Sequence, residues 1–197
     1  MIERHLYKII TIGSAFVGKT SLARRYAMNT FSYSYIPTMG VSWLTKSLSL
    51  TKDELNENLS KNILTDDVNV RISLWDTGAQ EIFGFVRQKY FLGAKVAIVV
   101  YDITKTSTFD DVSFWVSEIK KKCSEIPIIL CGNKSDLKNA RAVDREKAEE
   151  YAKENNFDYI ETSALSSENV EKLFSHAARL AIQSEEKVLK FREIYIR

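Results

Sequence analysis

Short apolar runs along this chain alternate with segments in which apolar residues recur at helical spacing. The runs predict strands over residues 6–12, 41–50, 68–75, 96–101, 126–131 and 157–160. Helical spacing predicts helices over residues 19–28 and 144–155, and two more that begin near residues 108 and 170. Strands and helices that alternate in this way predict an α/β fold, with a mostly parallel six-stranded sheet and helices on both faces.

Positions within these segments predict which side chains are buried. The run 96–101 is rich in β-branched residues, which is typical of a central strand covered on both faces. Thr108, followed three residues later by Asp111, predicts a capping box at a helix start. The predicted inward residues are Val68, Val70, Ile72 and Leu74 on one strand, and Phe109, Val112, Val116, Ile119, Ala148, Tyr151, Ala152, Val170, Leu173, Phe174, Ala177 and Leu180 on the helices.

A polar segment over residues 51–67 interrupts the hairpin that strands 41–50 and 68–75 would otherwise form. It contains only four apolar residues and many turn-forming ones, so we expect a long mobile loop. Two interpretations stay open. The segment is either a loop that binds a specific partner or an insertion that is tolerated because added loop length costs little entropy.

Composition narrows the class of protein. The chain has 197 residues, 45% of them hydrophobic and 27% charged, so we expect one globular domain. A net charge of +2 gives no reason to expect a nucleic-acid partner. Two cysteines make no disulfide framework, no apolar run is long enough to span a membrane, and the first residues lack a signal peptide's apolar core. We therefore expect a cytoplasmic protein.

The segment from Gly13 to Thr20 fits the phosphate-binding pattern G-x-x-x-x-G-K-[ST] between a predicted strand and a predicted helix. Backbone N–H groups in such a loop point at phosphate oxygens. Lys19 adds a charge for the β- and γ-phosphates, and the hydroxyl of Thr20 is a Mg²⁺ ligand. The residues expected to hold the nucleotide here are Gly13, Ala15, Phe16, Val17, Gly18, Lys19, Thr20 and Ser21.

Two further segments at strand ends predict which base is bound. In the first, Asn133-Lys134-Ser135-Asp136, the Asp136 carboxylate can accept from guanine N1–H and the 2-amino group together, a donor pair that adenine lacks. The second, Glu161-Thr162-Ser163-Ala164, is expected to offer a backbone N–H to guanine O6. The predicted base contacts are Asn133, Lys134, Asp136, Ser163, Ala164 and Leu165.

Residues between these motifs predict the metal shell and the hydrolytic centre. Asp76 suits a position that holds Mg²⁺ through water, and Gln80 can orient a water molecule for attack on the γ-phosphate. Thr38 is a second hydroxyl candidate for the metal. Phe31 either stacks on the base or is a plain core aromatic residue.

With these motifs the sequence resembles the Ras superfamily of small GTPases, and within it the Rab subfamily, over residues 5–183. Further Rab-like pieces lie at residues 35–41, 89–94, 100–104 and 161–164. The resemblance implies a P-loop, Ras-like fold in residues 1–184, with residues 185–197 as a C-terminal extension. It implies a GDP/GTP switch with Mg²⁺, in which Lys19 and Gln80 are catalytic and Tyr35 and Ala79 also contact the nucleotide. It also implies exchange factors, GTPase-activating proteins and effectors in vesicle traffic.

The sequence departs from the family pattern at several positions. Gly78 and Ala79 are exchanged relative to the usual Asp-Thr-Ala-Gly-Gln, so we hypothesise that the second switch responds incompletely. No cysteine follows Cys131, where a Rab would carry prenylated ones. We expect the membrane to be reached only indirectly, or peripherally on endomembranes if the natural tail is longer. An apolar stripe at Val188, Leu189, Phe191, Ile194 and Tyr195 would pack on the domain or a partner.

Three functions are compared on these residues. The first is a GTP-hydrolysing switch with slow intrinsic turnover, because no arginine is placed to act on the γ-phosphate in cis and Arg24 and Arg25 are expected to be surface charges. The second is a catalytically inactive scaffold that binds GTP and acts through its long loop. The third, an ATPase or kinase, is opposed by the guanine motifs.

Phe16 stands at a loop position where small GTPases usually carry a glycine with positive φ, so strain of about 1–3 kcal/mol is expected there. We predict that the wild type releases nucleotide faster than Phe16→Gly, measured as dissociation of a fluorescent GDP. Equal or slower release by the wild type would contradict this.

Overall fold

The computed structural model describes residues 6–32, 41–56, 67–77, 89–123 and 125–195 of the chain. The strands are β1 (Leu6–Ile12), β2 (Val41–Leu50), β3 (Val68–Thr77), β4 (Val96–Asp102), β5 (Ile128–Asn133) and β6 (Asp158–Thr162). The helices are α1 (Lys19–Met28), α2 (Lys52–Asn56), α3 (Thr106–Asp110), α4 (Val112–Lys120), α5 (Arg145–Glu154) and α6 (Val170–Tyr195), with a 3₁₀ turn at Lys138–Ala140.

The described strands form one six-stranded sheet in the order β2-β3-β1-β4-β5-β6. Only the β2–β3 pair in it is antiparallel, with Leu50 opposite Val68 at one end and Val41 opposite Thr77 at the other. The predicted α/β fold with a mostly parallel sheet is therefore confirmed. The carboxyl ends of the five parallel strands share one edge, where loops leading to helices gather.

The two faces of the sheet bury separate groups of apolar side chains. Successive residues of β4 alternate between them, so Ile98 packs on the face with α1 and α6 while Val99 packs on the face with α3, α4 and α5. Each predicted inward residue of the sheet and helices is buried or half-buried in one of the two groups. Both cysteines are buried free thiols.

Several element boundaries differ from the predicted ones. β5 begins at Ile128 because Pro127 has no N–H, and the carbonyl of Pro127 accepts from the Ala97 N–H at 3.0 Å instead. β5 and β6 each continue two residues past the predicted end. Neighbouring parallel strands supply hydrogen bonds there, so pairing continues into the polar residues that begin the site loops.

The predicted capping box at Thr108 is wrong. The helical segment begins two residues earlier, at Thr106, and Asp111 separates α3 from α4. The Thr108 hydroxyl donates to the Lys105 carbonyl at 2.8 Å and accepts from the Asp102 N–H at 3.0 Å. It therefore closes the turn between β4 and α3, because a hydroxyl can satisfy a backbone group on either side of a helix start.

A capping box is present instead at the start of the inserted segment. The Thr51 N–H donates to Glu54 Oε2 at 2.8 Å, and the Glu54 N–H donates to Thr51 Oγ1 at 3.3 Å. The five-residue helix α2 follows. The Lys52 N–H also donates to Asp67 Oδ1 at 2.8 Å, so the two ends of the insertion are bonded together.

Helix α2 is packed onto α6. Leu55 is fully buried in the core beneath α1 and α6, and its carbonyl accepts from the buried amide of Gln183 at 2.6 Å. Arg179 donates to the Glu54 carbonyl at 3.4 Å. The expectation of a mobile loop is therefore wrong for residues 52–56, where one buried leucine and two bonds from α6 fix the backbone. Residues 57–66 of the predicted loop lie outside the described ones.

The final helix is 26 residues long, about 39 Å, and its backbone continues past residue 184 to Tyr195. The predicted apolar stripe of Val188, Leu189, Phe191, Ile194 and Tyr195 lies outside the described side chains. Among the described residues, no helix combines the length and the apolar character needed to cross a membrane.

Leu55→Ala tests whether the insertion is docked. We expect it to lower the free energy of unfolding by about 2–5 kcal/mol, because it leaves a cavity beneath α6. The control is Leu6→Ala, at a leucine that is 60% exposed, where we expect about 0.5 kcal/mol or less. Urea denaturation of both variants measures the difference, and equal losses would contradict the docked arrangement.

Candidate nucleotide-binding site

The predicted phosphate-binding loop connects β1 to α1 at the carboxyl edge of the sheet, and its backbone conformation depends on two glycines. Gly13 has φ of +144°, and a Cβ there would lie 2.2 Å from the Val100 carbonyl oxygen. Gly18 has φ of +96°, and a Cβ there would lie 2.3 Å from Asn133 Nδ2. Close packing against β4 and β5 therefore requires glycine at both positions.

Phe16 has φ of +67°, as the sequence analysis expected for this loop position. Its side chain is 56% exposed, so it faces the rim of the loop rather than the core. Ala15 is also exposed, whereas Val17 is buried and Ser21 is half-buried on α1. The positive φ of Phe16 is therefore not accompanied by burial of its ring.

Lys19 turns back beneath the loop that precedes it. Its side chain is buried, and Nζ donates to the carbonyls of Gly13 at 2.9 Å and Ser14 at 2.8 Å. A buried ammonium group needs such acceptors, since an unpaired charge in the interior is costly. The geometry places one positive charge within the curve of the loop, beside the N-terminus of α1.

Thr20 and Asp76 bring two hard oxygen donors together. Thr20 lies in the first turn of α1, and its hydroxyl donates to Asp76 Oδ2 at 2.5 Å. Asp76, the second-last residue of β3, is buried. A hydroxyl oxygen beside a carboxylate fits Mg²⁺, which prefers oxygen ligands and usually takes the remaining ones from phosphates and water.

Asn133 joins the phosphate loop to the two predicted base loops. Its Nδ2 donates to the Val17 carbonyl at 2.8 Å, and its Oδ1 accepts from the Thr162 hydroxyl at 3.2 Å and the Ala164 N–H at 3.3 Å. The side chain is buried, and its amide nitrogen and oxygen together make these three hydrogen bonds. Asn133 therefore fixes the distance between the phosphate-binding loop and the loop at residues 163–165.

The Asp136 carboxylate is at the surface, and the buried Ser163 hydroxyl donates to its Oδ1 at 2.5 Å. Beside it, the Ser135 N–H donates to the Thr162 carbonyl at 3.0 Å. The two loops are thus bonded to each other by backbone and side chain. Leu165, next along the chain, is exposed at the same rim.

Lys134 is held by a buried carboxylate. Its backbone has φ of +71°, and Nζ bonds Asp102 Oδ2 at 2.5 Å at the end of β4. Asp102 also accepts from the Thr104 N–H at 2.9 Å and hydroxyl at 2.7 Å. Burial alone would raise the pKa of Asp102, but the bonds from Lys134 and Thr104 outweigh it and hold that pKa below its ordinary value of 3.8.

Arg25 corrects an expectation of the sequence analysis. It is half-buried rather than a plain surface charge, and its guanidinium donates to the carbonyls of Ala164 at 2.9 Å and Leu165 at 3.1 Å. It also lies 5.8 Å from the centre of the Phe31 ring. Helical spacing could have predicted this position. Arg25 lies about one turn after the buried Leu22 and so on the same side of α1, whereas Arg24 is exposed.

Phe31 is half-buried and packs against the core beneath α1 and α6. This contact agrees with a core role and leaves its contact with a base a prediction. The predicted residues Tyr35, Thr38, Ala79 and Gln80 lie outside the described residues, as does Gly78.

Sequence reasoning also missed two contacts that position the site loops. The Ser14 hydroxyl donates to Asp111 Oδ2 at 2.7 Å and accepts from Trp115 Nε1 at 3.1 Å, which ties the phosphate-binding loop to the junction of α3 and α4. Arg141 makes two bonds, of 2.7 and 2.8 Å, to the Glu161 carboxylate. No local spacing indicates pairs that are 20 to 101 residues apart.

Comparison with known proteins agrees with this geometry. The Ras family model matches residues 8–183. GTP-binding protein ypt3 of Schizosaccharomyces pombe is 39% identical over 171 residues, which cover 86% of this chain and 73% of ypt3. Ras-related protein RABA2a of Arabidopsis thaliana and Ras-related protein YPTC6 of Chlamydomonas reinhardtii are each 38% identical over 171 residues, which cover 86% of this chain and 72% of each relative.

Asp102→Asn tests the link between Lys134 and β4. We expect the free energy of unfolding at pH 7 to fall by about 1.5–3 kcal/mol, because hydrogen bonds to a charged group are lost. The pKa of Asp102 is lower in the folded state than in the unfolded state, so the ionised carboxylate stabilises the folded protein at pH values above 3.8. That stabilisation is lost as the pH falls through the folded-state pKa.

The difference in free energy of unfolding between wild type and Asp102→Asn should therefore be smaller at about pH 3 than at pH 7. Urea denaturation at both pH values measures it, and a difference of the same size at both would contradict the assignment. Asp110→Asn, at an exposed aspartate on α3, is the matched control.

Proposed function

Because this chain belongs to the Ras family, as a Rab-like GTPase that binds GTP and hydrolyses it to GDP, we propose that the loops described above hold the guanine nucleotide and Mg²⁺. The observation that carries this proposal is the position of Lys19, enclosed by its own loop at the edge where Thr20, Asp76 and Asn133 also meet. Lys19 and Thr20 begin α1, Asp76 lies near the end of β3 and Asn133 ends β5, so three elements contribute to this edge.

The phosphate end of the site works mainly by positioning charge. When nucleotide binds, the Lys19 ammonium group donates to the β- and γ-phosphates. These bonds either replace its bonds to the Gly13 and Ser14 carbonyls or are made alongside them. Thr20 and Asp76 would hold Mg²⁺, directly and through water. The ion, when bound, supplies positive charge that neutralises the phosphates as the terminal bond breaks. Thr38 is proposed as the second hydroxyl of this shell.

The base end recognises guanine through Asp136 and the loop at residues 163–165. The Asp136 carboxylate accepts from N1–H and the 2-amino group, while the Ser163 hydroxyl holds it in place. The Leu165 N–H donates to O6, or the Ala164 N–H does so by giving up its bond to Asn133 Oδ1. Lys134, anchored on Asp102, and Phe31 border the base from the sides. Adenine would leave the carboxylate without its two donors, which favours guanine.

Gln80 is proposed to orient the attacking water, with Lys19 stabilising the developing charge. We expect the intrinsic rate to be slow, since the residues assigned here to the γ-phosphate, Lys19 and Gln80, include no arginine, and a GTPase-activating protein accelerates it. An exchange factor then promotes replacement of the bound GDP by GTP.

We place the protein at endomembrane surfaces, which it reaches through partners, and propose that it regulates vesicle traffic through effectors.

An exposed aromatic surface supports the effector part of this proposal. Trp43 on β2 is 67% exposed, and its ring lies 6.3 Å from that of Trp75 on β3, which in turn lies 6.0 Å from Tyr90. Large aromatic side chains at a surface are typical anchors of protein partners. Since Trp75 directly precedes Asp76, a partner on this surface would contact the chain next to the metal site.

Single-turnover hydrolysis of bound GTP with Mg²⁺ tests the proposal, with Gln80→Leu alongside. We expect slow hydrolysis in the wild type and at least a tenfold slower rate in Gln80→Leu, because the attacking water loses its orienting group. Both proteins should bind GTP equally tightly, which is the control. Tight binding with no turnover in either protein would overturn the catalytic assignment and favour a scaffold.

A further inference from the structure

One arginine of α1 bonds both the end of its own helix and a loop that lies 139 residues further along the chain. The Nε of Arg25 donates to the Ala164 carbonyl at 2.9 Å, and one terminal nitrogen donates to the Leu165 carbonyl at 3.1 Å. The other terminal nitrogen donates to the backbone carbonyl and the side-chain oxygen of Asn29, at 3.3 and 3.4 Å. All four acceptors are neutral amide oxygens, so the guanidinium acts here as a fork of donors rather than as half of an ion pair.

The loop at residues 163–165 is held from two sides. On the β5 side, Asn133 accepts from the Ala164 N–H and Asp136 accepts from the Ser163 hydroxyl. On the α1 side, Arg25 bonds the carbonyls of Ala164 and Leu165. Fixing these carbonyls sets the planes of the peptides on either side of Leu165, and a peptide plane determines where its N–H points. The carbonyl of Ala164 and the N–H of Leu165 share one peptide plane, so Arg25 influences the direction of the Leu165 N–H proposed to contact O6.

The same guanidinium shapes the approach to Phe31. Asn29 ends α1 in a left-handed conformation with φ of +51°, and its N–H donates to the Arg25 carbonyl at 3.0 Å. Arg25 is thus bonded to Asn29 by both its backbone and its side chain. The chain then turns to Phe31, whose ring centre lies 5.8 Å from the guanidinium carbon. This fixes the turn that carries Phe31 to the border of the base site.

We infer that Arg25 is a positioning residue for the guanine base: it orients the Ala164–Leu165 backbone toward O6, steadies the turn to Phe31, and so slows nucleotide release. The inference rests on the proposed nucleotide site. Arg25 lies about 1.7 turns after Lys19 on the same helix, so a single element carries both the charge proposed to bind phosphate and the group proposed to position the base loop.

The test measures dissociation of GDP from the full chain in wild type, Arg25→Ala and Arg25→Lys, with Arg24→Ala as the matched control. Arg24 is the next residue of the same helix and is exposed. Loss of two well-aligned hydrogen bonds predicts release about tenfold faster or more in Arg25→Ala. Arg25→Lys keeps the charge but not the fork, so we expect an intermediate rate, whereas Arg24→Ala should stay within about twofold of wild type.

A nucleotide that lacks O6 separates positioning from general loosening of the fold. We propose 2-aminopurine riboside diphosphate, which keeps the phosphates, the ribose and the 2-amino group. It loses the N1–H together with O6, and this loss is the same in wild type and variant, so the comparison between the two proteins still isolates the effect of Arg25. If Arg25 acts through the O6 contact, Arg25→Ala accelerates release of GDP much more than release of this analogue. Equal acceleration of both nucleotides, or an unchanged GDP rate, overturns the inference. If Arg25→Ala does not fold, Arg25→Lys supports or overturns it by the same comparison.

Failure of the proposed site itself gives a different result. Wild-type protein that binds GDP no better than ADP, and no better than the analogue without O6, overturns guanine recognition by these loops before any variant is considered. Wild-type protein that discriminates all three, with Arg25 variants that leave the discrimination unchanged, overturns only the role of Arg25.

Discussion

The requirement to satisfy one buried ammonium group determines much of this structure. Lys19 sits inside the loop that precedes it, and the Gly13 and Ser14 carbonyls that accept from it can face inward only if the loop is tightly curved. That curve brings Gly13 against β4 and Gly18 against Asn133, with no room for a Cβ at either contact. The remaining parts of the site are arranged around this loop, because β4, β5 and the first turn of α1 all touch it.

The loops at the base end are held in the same way, by bonds between elements and not within them. Asn133 bonds the phosphate-binding loop and the 163–165 loop at once, Asp102 holds Lys134 from β4, and Arg25 reaches the same loop from α1. Several of these partners are buried, where an unmade hydrogen bond is costly. A change in one loop should therefore be felt in the others, which suits a protein whose affinity for nucleotide is regulated by partners.

The sequence predicted the order of strands and helices, the residues of the core and the positions of the nucleotide motifs, because these depend on local periodicity and on short fixed spacings. The local pattern alone could not show which of two similar segments forms a capping box. Thr51 and Glu54 form a capping box, whereas Thr108 and Asp111 do not, since the Thr108 hydroxyl finds the backbone of Lys105 and Asp102 in the folded chain. Likewise, the contact of Arg25 with Ala164 joins residues 139 positions apart, which only the fold brings together.

The docked insertion shows how this fold can acquire a new surface without disturbing its chemistry. Leu50 and Val68 pair at the end of the β2–β3 hairpin that is far from Asp76, so the insertion emerges eight residues of strand, about 26 Å, from this proposed metal ligand. Its capping box, the buried Leu55 and the amide of Gln183 attach it to α6 and not to the nucleotide loops. Trp43, in contrast, lies near the nucleotide edge of the same hairpin. A partner that binds the insertion would therefore contact a region distinct from the aromatic surface, and both could be occupied at once.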